Sequence, residues 1–281
     1  MDVTRFVDLA LDEDLGHGDL STEATVPLES KGSGRVLAKE SLVVCGHQVA
    51  GLVFTRVAER IGGEVHYQAL VDEGERASSG QDIARVEGSL RAILSGERLA
   101  LNLLMRLSGV ATHARVYADA AGPGGPRVVD TRKTTPLLRA LEKHAVRCGG
   151  AHNHRFALYD GVLIKDNHIA AVGGVRTAVE RARAAAHHLV RVEVEVTDIH
   201  QVGEAIDAGA DALLLDNMDY EELRAAVELT RARRPEVLLE ASGNMNPNRI
   251  ARIRNLGLDL VSAGGIIHQA RWVDLSLDLD E

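Results

Sequence analysis

The sequence predicts an α/β protein: a parallel β/α barrel with a small α+β unit ahead of it. Three observations predict this. From Arg127 onward, short apolar runs alternate with amphipathic helical patterns. Before Leu90, short apolar runs are broken by Gly and charged residues, without that regular alternation. The stretch Ala120-Ala121-Gly122-Pro123-Gly124-Gly125-Pro126 reads as a loop between the two regimes.

The elements follow in order. Phe6, Val7, Ala10 and Leu11 recur at helical spacing until Gly16-His17-Gly18-Asp19 breaks the pattern. Strand-length runs follow at Arg35–Ala38, Leu42–Cys45, Glu64–Ala69 and Asp82–Val86, with a helical stretch near His47–Ile61. A helical pattern from Leu90 to about Leu107 closes this part. In the second regime, Val128–Val129, Val162–Ile164, Val192–Val196, Ala212–Leu215, Val237–Leu239 and Leu260–Val261 are too short for ordinary helices. Val175, Ala178, Val179 and Ala182 mark one intervening helix, and Leu223, Ala226 and Val227 another. Strand and helix in this rhythm imply parallel strands joined by right-handed crossovers, with six strands of a barrel that has eight when complete.

Composition narrows the function classes. With 281 residues, 45% hydrophobic and 26% charged, the chain suits a globular protein able to bury a substantial core. A formal charge of −9 argues against nucleic acid as the main partner, so any cationic site must be local. The first residues lack a basic start followed by an apolar run, and no stretch approaches the roughly 18 uninterrupted apolar residues of a membrane span. Cys45 and Cys148 are far apart in sequence and in no metal-ligand spacing, which makes a reduced, cytoplasmic setting the expectation.

The polar residues fall in a pattern. After successive strands come Asp130-Thr131-Arg132-Lys133, Lys165-Asp166-Asn167-His168, Glu195, Asp216-Asn217, Ser242-Gly243-Asn244 and Ser262-Ala263-Gly264-Gly265. All parallel strands end on one face, so these segments should share one rim. Any single strand-end Asp or Lys is more often a cap or a surface ion pair; six in register are harder to dismiss. Arg132, Lys133, His154, Arg155 and Lys165 form a cationic cluster suited to a substrate with several negative charges. His154-Arg155 alone would read as a loop histidine beside a surface arginine, but it lies between two rim-forming strands. Glu195 and Asp216 could hold ribose hydroxyls, a magnesium ion or a developing positive charge. The turns at Ser242-Gly243-Asn244 and Ala263-Gly264-Gly265 could cradle a phosphate, though each is weak alone because Gly serves any tight turn.

Together these residues carry a resemblance. Asp130-Thr131-Arg132-Lys133-Thr134-Thr135-Pro136, Glu142-Lys143, Gly149-Gly150 with Asn153-His154-Arg155, and Ile164-Lys165-Asp166-Asn167-His168 resemble the signature of the quinolinate phosphoribosyltransferases. Glu13-Asp14-Leu15-Gly16, Gly96-Glu97-Arg98 and Leu107-Ser108-Gly109 are similar to that family upstream. Val192-Glu193-Val194-Glu195, Leu215-Asp216-Asn217, Glu240-Ala241-Ser242-Gly243-Asn244 and the segment from Ser262 to His268 continue it downstream. Two departures stand out: Leu137 where the family pattern has Gly, and a more apolar Gly264-Gly265-Ile266-Ile267-His268-Gln269.

The resemblance implies an incomplete α/β barrel over residues 111–267. It also implies an N-terminal α+β open-faced sandwich over 1–110, to which 268–281 returns. It implies transfer of phosphoribosyl from phosphoribosyl pyrophosphate to quinolinate with decarboxylation, giving nicotinate mononucleotide for NAD biosynthesis. Arg98, Arg132, His154 and Arg155 would then bind the two carboxylates of quinolinate, and Lys133 and Lys165 the ligands' negative charges. Glu195 and Asp216 would hold the ribose and Mg2+, and Ser242, Gly243, Asn244, Ala263, Gly264 and His268 the 5-phosphate region. A homodimer with shared active sites is implied as well, with Arg98 serving the neighbouring subunit. Two other readings stand beside it. A barrel lyase using Lys165 as a Schiff-base nucleophile would need a desolvated lysine and leaves the two phosphate-type turns unexplained. A catalytically silent sensor would be expected to lack a catalytic-type residue, and none is missing.

Overall fold

The computed structural model describes residues 2–280. Its elements in chain order are α1 (Val3–Asp14), α2 (Leu20–Thr25), β1 (Lys31–Ala38), β2 (Leu42–Val43), α3 (His47–Ile61), β3 (Val65–Ala69), β4 (Arg76–Ala77), β5 (Asp82–Ser89) and α4 (Leu90–Ala121). Then follow β6 (Arg127–Val129), α5 (Arg139–Cys148), β7 (Val162–Ile164), α6 (Asp166–Val172), α7 (Val175–Ala185), β8 (Val192–Val196) and α8 (Ile199–Asp207). The chain ends with β9 (Ala212–Asp216), α9 (Tyr220–Arg233), β10 (Leu238–Ser242), α10 (Pro247–Ile253), β11 (Leu260–Ser262), α11 (Gly265–His268) and β12 (Leu275–Leu279). Two compact units result: residues 1–115, 135–150 and 269–281 form the first, and 116–134 with 151–268 the second.

The first unit is built on an antiparallel sheet in the order β12-β1-β5-β3. One face of α3 is apolar at Val49, Ala50, Val53, Phe54 and Val57, and all five are buried. The ends of α1 and α2 follow from their caps: the carboxylates of Asp2 and Asp19 accept from the backbone amides of Thr4 and Thr22, each at 3.0 Å. Helix α4 is longer than the sequence pattern indicated, running to Ala121 rather than ending near Leu107. Just beyond Leu107, a Cβ on Gly109 would lie 2.1 Å from the carbonyl oxygen of Arg271. This glycine therefore serves a close backbone approach inside a helix. The helical period resumes beyond it with buried Val110, Ala111, Ala114 and Tyr117. Leu137, the departure from the family's Gly, is exposed and sits at φ +70°, a left-handed conformation that suits Gly.

The second unit holds six parallel strands in the order β6-β11-β10-β9-β8-β7. β6 and β7 are its two edges, so the barrel is incomplete, as the sequence predicts. Beyond the regular ladders, one parallel bridge joins Val129 to His152. β9 is buried along Ala212–Leu215, as expected of a strand covered on both faces. Capping fixes where the crossover helices begin. Asp198 caps α8, Asn246 caps α10 ahead of Pro247, and Asp219 with Glu222 forms a capping box at α9. Among the described residues no helix is long and apolar enough to cross a membrane.

Candidate active site

Because the six strands are parallel, their C-terminal ends open on one rim, and the polar segments predicted there do lie at those ends. At the end of β6, Asp130 is fully buried. Its carboxylate accepts from Asn153 Nδ2 at 2.7 Å and from the backbone amide of His154 at 2.9 Å, fastening the loop that carries His154 and Arg155. The amide of Lys133 donates to Thr131 Oγ1 at 3.0 Å, and Arg132 and Lys133 are exposed. The turn after β11 meets this loop closely. A Cβ on Gly264 would lie 2.8 Å from Lys133 Cδ, 3.3 Å from Thr131 Oγ1 and 3.4 Å from the ring of His268. With glycine there the lysine stem crosses freely, whereas a Cβ would push the exposed Lys133 side chain aside. Ala263 is buried, its amide donating to the Val129 carbonyl at 3.0 Å.

Arg155 is positioned by donating from Nη1 to the Gly161 carbonyl at 2.7 Å. Burial, and then the charge of Arg132, holds its pKa below the usual arginine range, with Glu193 and Asp160 opposing. Two guanidinium groups close enough to repel each other favour an anion between them. His154 Nε2 lies 3.3 Å from Glu193 and 3.6 Å from Glu240. Glu240 is buried, and its pKa is pushed up to about 7 by burial and by the Glu193 charge, while His154 pulls it down. A cavity of about 350 Å³ runs inside the barrel from His154, Arg155, Glu193 and Glu240 towards the strand starts at Arg127, Ala212, Leu238 and Leu260.

Across the rim, Lys165 opens α6, its amide donating to His168 Nδ1 at 2.9 Å. Its ammonium is 3.2 Å from Glu195 Oε2, with the lysine side chain 47% exposed and the glutamate 13%. On the neighbouring strand β9, Asp216 accepts from Asn217 Nδ2 at 2.7 Å. Asn217 takes φ +55° and donates its amide to the Ser242 carbonyl at 3.1 Å. A Cβ on Gly243, at φ +90°, would fall 2.2 Å from Asn217 Oδ1, so the two turns interlock. Arg249 on α10 ties them further, donating to the carbonyls of Gly243 and Met218 at 2.7 Å each. Asn244 follows in the left-handed region at φ +48°.

Of the predicted site residues, Lys133 and His268 each approach Gly264, Lys165 meets Glu195, and Asp216 shares a turn network with Ser242 and Gly243. Arg132 and Arg155 are within electrostatic reach of each other. Arg98 stands apart. It is exposed on α4 in the first unit, 3.5 Å from Glu97. Sequence reasoning gave no role to Asp130, Asn153, Glu193, Glu240 or Arg249, which hold the site residues in place. A signal for two of them was present. Glu193 lies two residues from Glu195, and Glu240 two from Ser242, so each pair shares a strand face.

The comparisons with known proteins agree with this geometry. The family description "Quinolinate phosphoribosyl transferase, N-terminal domain" matches residues 19–108, and its C-terminal counterpart matches residues 110–278. The carboxylating nicotinate-nucleotide pyrophosphorylase of Mycobacterium leprae is 41% identical over 271 residues, 96% of this chain and 94% of that protein. The solved structure of NadC from Streptococcus pyogenes superposes with a TM-score of 0.93 at 40% identity, over 99% of this chain and 96% of that one. The nicotinate-nucleotide pyrophosphorylase from Francisella tularensis does so with a TM-score of 0.92 at 34% identity, over the same shares. Matched along nearly its whole length by both domain descriptions and by these relatives, the chain belongs to the quinolinate phosphoribosyl transferase family.

Proposed function

We propose that the barrel rim transfers phosphoribosyl from phosphoribosyl pyrophosphate to the ring nitrogen of quinolinate, giving nicotinate mononucleotide, pyrophosphate and carbon dioxide for NAD biosynthesis. The observation that carries this reading is the electrostatic coupling of Arg132 with Arg155, the second of which lines the cavity. Arg132 repels Arg155, and a dicarboxylate relieves that repulsion. His154 joins them as a third carboxylate-binding group, 3.3 Å from Glu193 and 3.6 Å from Glu240. Lys133 and Lys165 face the pyrophosphate and the other negative charges. The turns at Ser242-Gly243-Asn244 and Ala263-Gly264 take the 5-phosphate on backbone amides, with His268 at the end of the second.

The chemistry follows from charge. The bond from the ribose carbon to pyrophosphate breaks, and positive charge grows on that carbon. Glu195 and Asp216 stabilise it from adjacent strands. The ring nitrogen forms the new bond. The neighbouring carboxylate then leaves as carbon dioxide, its bonding electrons held on the ring carbon by the pyridinium charge until a proton replaces it. No covalent nucleophile is required, and orientation by the arginines supplies much of the effect. A Schiff-base role for Lys165 is disfavoured, because that lysine is ion-paired and half-exposed where a desolvated one is needed.

Glu195 and Asp216 are hard oxygen donors on neighbouring strands and suit Mg2+, which would neutralise charge on the pyrophosphate when bound. We further assign a homodimer whose sites are completed by Arg98 of the other subunit, and a cytoplasmic setting in keeping with the free thiols of Cys45 and Cys148. Acceptor choice tests the central reading. Nicotinate has one carboxylate and would leave a guanidinium unpaired, at a cost of several kcal/mol. The ratio of kcat/KM for quinolinate over nicotinate should therefore exceed about 100. Comparable values for the two acids would refute the assignment.

A further inference from the structure

Four side chains with no part in the transfer chemistry converge within the first unit. Cys45 precedes α3, Glu73 lies in the loop between β3 and β4, and His144 and Cys148 sit on α5. Separated by four residues, the last two share one face of that helix. The donor atoms of all four side chains lie within 4.8 Å of one another. We propose that Cys45, Glu73, His144 and Cys148 form a structural zinc site that the transferase reaction does not use.

Donor chemistry selects the metal. Two thiols, an imidazole and a carboxylate match the Cys, His and acidic ligands of four-coordinate Zn2+, whereas Mg2+ and Ca2+ take oxygen. Spacing agrees with a tetrahedral ion. At ordinary zinc bond lengths, neighbouring donors stand roughly 3.3–3.8 Å apart. Cys148 Sγ is 3.5 Å from His144 Nε2 and 3.8 Å from Glu73 Oε2. The His144–Glu73 contact is tighter, a hydrogen bond of 2.5 Å between Nε2 and Oε2. An ion would replace the proton of that bond, and the pair would open by roughly 1 Å.

The ligands are also held from behind, as metal ligands generally are. Glu73 Oε1 accepts from the amides of Gly46 and His47, each at 2.8 Å, leaving Oε2 turned to the cluster. The backbone of Cys45 is clamped by Ser108 of α4, whose hydroxyl accepts from its amide and donates to its carbonyl, each at 3.0 Å. Cys45 is fully buried, and four protein donors leave no position open for substrate, which is the arrangement of a structural rather than a catalytic zinc. Bound there, the ion would pin the start of α3, the β3–β4 loop and α5 to one another.

The test begins with full-length protein purified without chelator, its metals counted by mass spectrometry. About one zinc per chain is expected to survive dialysis. Cys148→Ser and His144→Asn should each lower zinc affinity at least tenfold. Asp216→Asn, which removes a magnesium ligand proposed above, should leave the zinc content unchanged. Cobalt substitution should give the thiolate-to-cobalt absorption of a tetrahedral site, weakened in Cys148→Ser. Excess chelator should lower the melting temperature of the wild type and not that of Cys148→Ser. Three results would overturn the proposal: no zinc uptake by reduced protein in zinc chloride, uptake undiminished in both ligand variants, or a Cys45–Cys148 disulfide in the protein as isolated. Loss of transferase activity with the zinc count intact would bear on the barrel reading alone.

Discussion

Glu195 and Asp216 have different neighbours although both face the rim. Glu195 is mostly buried and held at 3.2 Å by Lys165, while Asp216 accepts from its own neighbour Asn217 at 2.7 Å. If both serve the ribose and its metal, removing either charge should reduce catalysis more than binding of the acceptor. Glu195→Gln and Asp216→Asn should lower kcat about 100-fold or more with quinolinate affinity changed only a few-fold, and excess chelator should abolish turnover. Full activity in chelator would remove the metal, and a selective loss of quinolinate binding would reassign the carboxylates. Glu240 behaves differently because burial, reinforced by Glu193, raises its pKa from the ordinary 4.5 to about 7. The folded state keeps this proton longer than the unfolded chain does. Its contribution to stability is therefore full below about pH 4.5 and lost as pH rises through 7. Glu240→Gln, which cannot ionise, should match the wild type in urea unfolding near pH 4.5 and exceed it by on the order of 3 kcal/mol above pH 8. An equal difference at both pH values would mean that the fold does not raise the pKa of this carboxyl. At this scale the sequence showed the charges but not their holders. Arg132, Lys165, Glu195 and Asp216 are visible as strand-end residues, whereas the burial of Asp130 and Glu240 depends on what neighbouring strands place over them.

The secondary-structure elements were legible where periodicity decides. The strands of the barrel are short apolar runs of period two or continuous burial, and each of the six runs seen in the sequence is a strand in the fold. Periodicity misleads where a residue serves packing between distant segments. The pattern indicated an end to α4 near Leu107, yet the helix runs on past Gly109, whose lack of a side chain accommodates the Arg271 carbonyl, a partner 162 residues away that no local pattern announces. Gly109→Ala should therefore be destabilising despite alanine's better helix propensity. The roughly 1 kcal/mol gained by the helix is outweighed by a Cβ placed 2.1 Å from a backbone oxygen, for a net loss of about 2–3 kcal/mol. Gly203 in α8 is the control. A Cβ there meets only the flexible end of Arg233, at 3.5 Å, so Gly203→Ala should gain up to about 1 kcal/mol. Thermal unfolding of the two variants separates packing from propensity, and similar shifts in both would refute the close-approach account. α5 shows the same limit. His144 and Cys148 are an unremarkable pair on one helix face until the fold brings Cys45 and Glu73 to them.

Across the whole chain, sequence order and spatial order diverge, and Arg98 shows the consequence. Its companions in the family motifs, Arg132, His154 and Arg155, belong to the second unit, while Arg98 belongs to the first. It is also 61% exposed, with Glu97 at 3.5 Å, so its guanidinium is available to a ligand. Assignment of Arg98 to another subunit's site predicts a specific pattern of complementation. Arg98→Ala and Arg132→Ala should each be inactive alone, losing kcat/KM by about 100-fold or more. When the two are mixed and subunits exchange, each mixed dimer has one site with both arginines and one site with neither. Random mixing makes half of the dimers mixed, so roughly a quarter of all sites should recover. Activity should rise over the time course of subunit exchange and stay at that ceiling, because no pairing of these chains yields two intact sites. If Arg98 instead serves its own chain's barrel, every mixed dimer carries one broken arginine in each site. Mixing then restores nothing, even with heterodimers verified by mass, and the shared-site assignment fails.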